Sequence, residues 1–305
     1  MPDYDVAIIG AGPAGLAAAI YLGRSRRSVV LLGEKIFDSQ VANLESIENY
    51  PGFGEPVSGA SLIAEMINQV MKYDVPLEQT TVSGIEPFAG GYRVITNNEA
   101  GINAKMLIIA SGTVHRKLGI PGEESLQGKG IFQCALCDGG KFAGQEVAVC
   151  GGGDAGVTEA LYMTKLASKV ILIEALPALT ASTILKERVA DNEKVEVRCG
   201  TKITSILGSE QVDGIEILDP AGKTEIIKVS GVLIYVGLSP NISFLRGMLP
   251  LDDTGHIIVN PKMETKVTNI LAAGDVRSNS PGQIVTATGD GATAAITAGR
   301  LLQLG

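Results

Sequence analysis

A repeated pattern of short apolar runs, glycine turns and helical segments predicts an α/β fold. Residues 5–9 (DVAII) read as a buried strand, followed by GAGPAG at 10–15 and the helical LAAAIYLGR. SVVLL, 28–32, is a second buried strand. The pattern restarts with the strand EVAVC (146–150), the glycine turn GGGDAG (151–156), the helical VTEALYMTKLA and the strand KVILIE (169–174). Two strand–turn–helix–strand units, about 140 residues apart, imply parallel sheets covered by helices.

The remaining elements follow from periodicity. In LIAEMINQVMKY (62–73), Leu62, Ile63, Met66, Ile67, Val70 and Met71 fall on one helical face, which predicts a packed amphipathic helix. Residues 81–96 read as short strands, and MLIIA (106–110) and GVLIYVG (231–237) as buried ones. ILAAGD (270–275) is a further strand, followed by a Gly-rich turn and the helical GDGATAAITAGRLL. No stretch reads as low complexity or a long linker.

Composition narrows the class. A chain of 305 residues with 45% hydrophobic content supports one large domain or two smaller ones. A net charge of −8 argues against a general nucleic-acid surface. MPDYDVAIIG has no basic region before its apolar run and does not read as a secretory signal. The apolar runs are short and broken by glycine, so none is expected to span a membrane. Four cysteines without a signal fit a reducing, cytoplasmic compartment, where C-x-x-C is more often catalytic or metal-binding than a staple.

Gly10, Gly12 and Gly15 fit G-x-G-x-x-G between a strand and a helix, and Gly151, Gly153 and Gly156 fit it again. The first glycine makes the tight turn, the second lets a pyrophosphate touch backbone, and the third lets helix and strand pack closely. The helix N-terminus offers free N–H groups and partial positive charge to the phosphates. Two such triplets in the right context predict two Rossmann-like dinucleotide-binding domains. An acid about 20 residues on should hold a ribose hydroxyl. Glu34 is the candidate in the first unit and Glu174 in the second. A carboxylate at 174 repels a 2′-phosphate, and Ala175, Leu176 and Thr180 supply no cation to offset it, so the second site is expected to take NADH rather than NADPH.

The order GAGPAG, ENYPGF (48–53), C-x-x-C-D-G, GGGD and AAGDV (272–276) resembles the low-molecular-weight thioredoxin reductases over nearly the whole chain. The redox pair just ahead of the second glycine turn separates this group from relatives whose cysteines lie near the first cradle. The resemblance implies three-layer ββα domains, the second inserted in the first. The FAD domain would comprise 1–113 and 242–305, and 114–241 would be a nicotinamide-binding domain carrying the dithiol. It also implies a homodimer. Carried over by position, FAD contacts are Gly10, Gly12, Pro13, Ala14 and Gly15 at the pyrophosphate, and Glu34 and Gln40 along the nucleotide. Asn49 would lie near the flavin, Asp275 on the ribitol, and Gln283 and Ile284 at the ring, and Gly112 is a further FAD contact. The NAD set is Gly151, Gly153, Asp154, Ala155, Gly156 and Glu174.

The departures bear on the donor. Members that use NADPH carry His-Arg-Arg at the positions of Glu174, Ala175 and Leu176, and a further Arg at Thr180. The Arg usually found before the carboxyl-terminal Gln is Gly282, and the Gly-Gly before Gln40 is Asp38-Ser39. Members of the broader group that lack the NADPH pocket take electrons from ferredoxin or another flavoprotein donor, and others oxidise small dithiols with oxygen. Those two readings, and a flavin-bearing redox sensor without turnover, stand beside the NADH-linked one.

CALCDGG (134–140) carries the chemistry. A zinc ribbon needs four ligands as two close pairs, but Cys150 and Cys199 are 49 residues apart and only His115 and His256 could help. A staple across two residues closes too small a loop to stabilise much. The redox reading has Cys134 and Cys137 alternating between disulfide and dithiol, with electrons from reduced flavin passed to a partner disulfide through a mixed disulfide. By resemblance, Cys137 faces the flavin and Cys134 attacks thioredoxin or a similar small dithiol protein. Asp138 is the candidate acid–base group, because desolvation beside a flavin would make a carboxyl hold its proton more tightly. The resemblance also implies rotation of the inserted domain about linkers near 112–117 and 237–242, which leaves His115 and Arg116 as hinge, cofactor-edge or surface residues.

Overall fold

The computed structural model describes residues 3–34, 39–97 and 101–304. Asp38 lies outside them. The chain divides into two compact units, Met1–Val114 with Ser239–Gly305, and His115–Leu238.

The first unit begins with β1 (Tyr4–Ile9), α1 (Pro13–Arg24), β2 (Val29–Gly33), α2 (Gly59–Met71) and β3 (Leu77–Gln79). It continues with β4 (Val82–Phe88), β5 (Gly91–Thr96), β6 (Gly101–Ile109) and β7 (Thr113–His115), the last of which crosses into the second unit. The first sheet runs β3-β2-β1-β6 in parallel. Antiparallel β5 pairs with the start of β6, leaving its end for a late strand to fill. Alternation along β1 explains the layering. Val6 and Ile8 pack under the helices with Leu16, Ile63 and Ala294, whereas Ala7 and Ile9 face Val94, Phe244 and Leu249 on the other side.

In α2 the stripe Leu62, Ile63, Met66, Ile67 and Val70 is buried, but Met71 is 61% exposed. Met71 sits about 100° round the helix from Val70 and ends the last turn, so it turns off the packed face. The helix starts where Ser58 Oγ accepts the Ser61 N–H at 3.2 Å.

The second unit contains β8 (Ile131–Phe132), α3 (Ala135–Asp138), β9 (Glu146–Cys150), α4 (Asp154–Met163), β10 (Lys169–Glu174), α5 (Thr183–Ala190) and β11 (Val195–Cys199). Then come β12 (Lys202–Gly208), β13 (Val212–Leu218), β14 (Thr224–Ile227) and β15 (Gly231–Ile234). Its parallel sheet has the order β11-β10-β9-β15-β8, and β12-β13-β14 form a separate antiparallel sheet. Val147 and Val149 of β9 pack toward α4, and Ala148 and Cys150 toward the antiparallel strands. Each unit is thus helix, parallel sheet and meander, the α/β fold that the sequence pattern predicts and the three-layer arrangement that the resemblance implies.

The chain then forms β16 (Leu238–Pro240), β17 (Ile270–Ala272) and α6 (Ile284–Leu304). β17 pairs in parallel with the end of β6, which completes the first sheet. β16 pairs with β7, so the two connections between the units run side by side. α6 starts five residues before the helical stretch legible in sequence. Its glycines permit close packing on α1: a Cβ at Gly291 would meet the Ala14 carbonyl oxygen at 2.0 Å. Among the described residues no helix is long and apolar enough to cross a membrane.

Candidate active site

The first glycine turn has the shape of a phosphate cradle. Gly10 has φ +114°, and a Cβ there would lie 2.2 Å from the Ala110 carbonyl oxygen. A Cβ at Gly15 would lie 1.8 Å from the Gly10 carbonyl oxygen, so the third glycine is required for helix and strand to touch. Gly12 is different, because a Cβ there would meet nothing within 4 Å. Its missing side chain leaves open space above the turn. Gly12 caps α1 with no side-chain bond to the first-turn N–H groups, Pro13 follows, and the first turn carries no acid. The residues therefore fit a pyrophosphate, with donors free and no like charge against it.

The other residues of the FAD set all belong to this first unit. Glu34 is exposed immediately after β2. Gln40 donates from Nε2 to the Thr113 carbonyl at 2.6 Å, and Asn49 donates from Nδ2 to Gln283 Oε1 at 3.0 Å. Gly112 has φ +63° with open space where a Cβ would be. The turn after β17 lies against the cradle, since a Cβ on Gly274 would fall 2.9 Å from that of Ala14. Asp275 in this turn accepts the Ser280 hydroxyl at 2.7 Å. Ile284 opens α6. Arg277 braces the turn through a pair of bonds to the buried Asp290, at 2.7 and 3.0 Å. The Gly274 N–H also donates to Asp290, at 3.2 Å.

The second turn repeats the steric logic. A Cβ at Gly151 would meet the Tyr235 carbonyl oxygen at 2.1 Å, and one at Gly156 the Gly151 carbonyl oxygen at 2.0 Å. Gly153 is open apart from Thr180 Oγ1 at 3.7 Å. Glu174 is buried at the end of β10, where one carboxylate oxygen accepts the Gly152 N–H at 2.6 Å and the other the Leu176 N–H at 2.8 Å. The loop after it folds back on the turn. Thr180 and Ala181 both donate backbone N–H to the Gly152 carbonyl, at 2.9 and 3.0 Å, and Ser182 N–H donates to Asp154 at 2.6 Å. Ala155 follows Asp154 in the first turn of α4.

Cys134 and Cys137 form a disulfide at the start of α3, with Cα atoms 5.3 Å apart. Cys134 is the N-cap of that turn, and its Sγ accepts the Cys137 N–H at 3.0 Å. Asp138 closes the turn and pairs with Lys141 at 2.5 Å, both side chains reaching solvent. Cys150 is buried in the sheet, and burial, then the charges of Glu174 and Glu123, push its thiol up to about 12. Cys199 is half-buried beside Glu174, and both burial and that charge raise it too. His115 stands edge-on to Tyr235 with ring centres 5.1 Å apart, and burial holds its imidazole below the ordinary range.

Two polar residues in this region were not singled out from the sequence. Glu159 on α4 accepts the Ala135 N–H at 2.8 Å, and Tyr235 after β15 donates its hydroxyl to the Gln133 carbonyl at 2.5 Å. The signal for Glu159 was available. It lies three residues after Gly156 and four before Met163, on the packed face of α4. A carboxylate on a core face demands a partner.

Residues 4–291 match the family described as pyridine nucleotide-disulphide oxidoreductase. A thioredoxin reductase of Bacillus subtilis is 40% identical over 296 residues, covering 96% of this chain and 92% of that protein. A crystal structure of Lactococcus lactis thioredoxin reductase in its FR conformation is 36% identical, with a TM-score of 0.96 over 99% of this chain and all of the other. The thioredoxin reductase of T. acidophilum is 34% identical, with a TM-score of 0.94 over 99% of this chain and all of the other. With two glycine cradles and a C-x-x-C disulfide that lies between them in sequence, the chain belongs to the pyridine nucleotide-disulphide oxidoreductase family, as an FAD-dependent disulfide oxidoreductase of the thioredoxin reductase type.

Proposed function

We propose that this enzyme moves two electrons from NADH through FAD to the Cys134–Cys137 pair, and from there to the disulfide of thioredoxin or a similar small protein. The unit comprising 1–113 and 242–305 holds FAD in this reading, and 114–241 holds the nicotinamide and the dithiol. Bound FAD supplies a two-electron carrier between a hydride donor and a disulfide. The chain's own residues do the rest. Gly12 and the free N–H groups of α1 seat the pyrophosphate, and Asp275 and the Asn49–Gln283 pair line the cofactor toward its ring. The Cys137 N–H, already directed at Cys134 Sγ, is a donor ready for a thiolate there, which favours Cys134 as the sulfur that attacks the partner. Asp138 manages the proton released or taken up by Cys137. The working form is a homodimer, which sedimentation in solution checks.

The observation that carries the choice of donor is Glu174. Its carboxylate is buried under the second cradle, and Ala175, Leu176 and Thr180 around it bring no positive charge. A 2′-phosphate meets repulsion there, and a 2′-hydroxyl an acceptor. The test is anaerobic mixing of the yellow protein with NADH and, separately, NADPH. Flavin bleaching by NADH at concentrations where NADPH has no effect is the expected result. Bleaching by neither rejects the nicotinamide donor and leaves ferredoxin or another flavoprotein in its place. Adding thioredoxin and a disulfide dye then tests the acceptor.

A further inference from the structure

The Cys134–Cys137 motif is anchored from both sides, by a buried carboxylate and a half-buried phenol that no glycine turn requires. Gln133 and Ala135 flank Cys134 in sequence. The Gln133 carbonyl accepts the Tyr235 hydroxyl at 2.5 Å, and the Ala135 N–H donates to Glu159 at 2.8 Å. Ala135 is fully buried and Glu159 is 9% exposed. The two anchors also meet each other. Burial first, then the Glu159 carboxylate, push the Tyr235 phenol above its ordinary range, while its single O–H is taken by the Gln133 carbonyl. Glu159 is on the helix that leaves the second cradle, and Tyr235 follows β15, an interior strand of the parallel sheet. The catalytic turn is therefore fixed to the rigid centre of its own unit.

The chemistry of Glu159 is more specific than packing needs. A neutral Gln would accept the same Ala135 N–H without the cost of holding a charge out of water. A carboxylate bonded to the Ala135 N–H, one peptide bond from Cys134, adds a negative charge at the backbone of the motif, where Asp138 and Lys141 already offset each other as an ion pair, and like charge disfavours thiolate. We propose that Glu159 and Tyr235 are positioning residues for the dithiol: they clamp the backbone on either side of Cys134, and the Glu159 charge sets the pH at which the reduced pair becomes nucleophilic. The proposal rests on the redox reading of the cysteines.

The test is chosen to be independent of the electron donor. The FAD-loaded enzyme is reduced with dithiothreitol, and alkylation of Cys134 and Cys137 by iodoacetamide is followed against pH by peptide mass. The expected result for Glu159→Gln is a profile displaced to lower pH by about one unit, with FAD content unchanged. For Tyr235→Phe, the expected result is amide hydrogen exchange at Ala135 faster by about tenfold. Superimposed alkylation profiles for wild type and Glu159→Gln, or a displacement to higher pH, overturn the charge role. Unchanged exchange at Ala135 in Tyr235→Phe overturns the clamp, and does so even if Glu159→Gln fails to fold. Failure of the underlying redox reading is distinct: Cys134→Ser/Cys137→Ser would then keep full protein-disulfide turnover, whatever the alkylation profiles show.

Discussion

Glu174 and Gly152 are joined by a hydrogen bond of 2.6 Å, from the turn's own N–H to the carboxylate that ends the next strand. The acid therefore holds the shape of the cradle. Glu174→Ala should leave the buried Gly152 N–H without a partner, at a cost of about 2 kcal/mol. Thermal melting of the second unit's transition measures the loss, and NADH-driven bleaching should weaken with it.

Changing donor preference calls for added cations. Ala175→Arg, Leu176→Arg and Thr180→Arg together should favour NADPH over NADH by about tenfold, near 1.4 kcal/mol, for each guanidinium that reaches the phosphate. Titration of flavin bleaching with both nucleotides reads the ratio. No change in that ratio would remove this loop as the specificity determinant.

The roles of the second and third glycines in the first cradle can be separated by the same substitution. Gly12→Ala adds a methyl to open space, so with FAD stripped from both proteins melting should agree within about 3 °C, while the variant should purify without FAD. Gly15→Ala forces a methyl to 1.8 Å from a carbonyl oxygen and should give no folded protein. Absorbance near the flavin band and a melting curve decide both. Full FAD content in Gly12→Ala would argue against the pyrophosphate placement.

Thiol titration has a defined sign. Cys150 titrates near 9.0 in an unfolded chain and at about 12 in the fold, so above pH 9 the native state keeps a proton the unfolded chain has released. The stability this supplies is present in full below pH 9 and is lost as pH rises toward 12. In the oxidised enzyme a thiol reagent at pH 8 should find one slow site, Cys199, with Cys150 reacting only after denaturation. Two equally fast thiols would contradict the burial of Cys150.

Asp138→Asn should slow dithiol–flavin exchange by about a hundredfold while FAD stays bound, measured by stopped flow. Lys141→Met tests whether the ion pair with Asp138 matters to the fold. Both side chains reach solvent, so stability should change by less than about 1 kcal/mol. Exchange rates unchanged in Asp138→Asn would remove it from proton transfer.

What could be read from the sequence was local. The glycine triplets specify their turns because Gly10, Gly15, Gly151 and Gly156 each face a backbone oxygen that excludes any side chain. β1 and β9 were legible as short continuous apolar runs because both faces of those strands are covered. The meander β12–β14 was not read as strands, since it carries no glycine turn of the cradle type and its exposure alternates weakly. Met71 followed the helical stripe in sequence but left it in space at the helix end. The pairing of Glu159 with Ala135 spans 24 residues and that of Tyr235 with Gln133 spans 102, so neither is visible to a periodicity argument. A charged residue on a packed helical face was the one available clue.

The adjacency of β7 and β16 has a consequence for how such a chain can be rebuilt. The Arg116 N–H donates to the Gly237 carbonyl at 3.0 Å, and the Asn241 N–H to the Gly112 carbonyl at 2.9 Å. Departure and return thus share one doorway, a single strand spacing of about 4.8 Å wide. A tight turn grafted across that gap would close the outer unit without rethreading its sheet, and a foreign module with neighbouring termini could be spliced into the same opening.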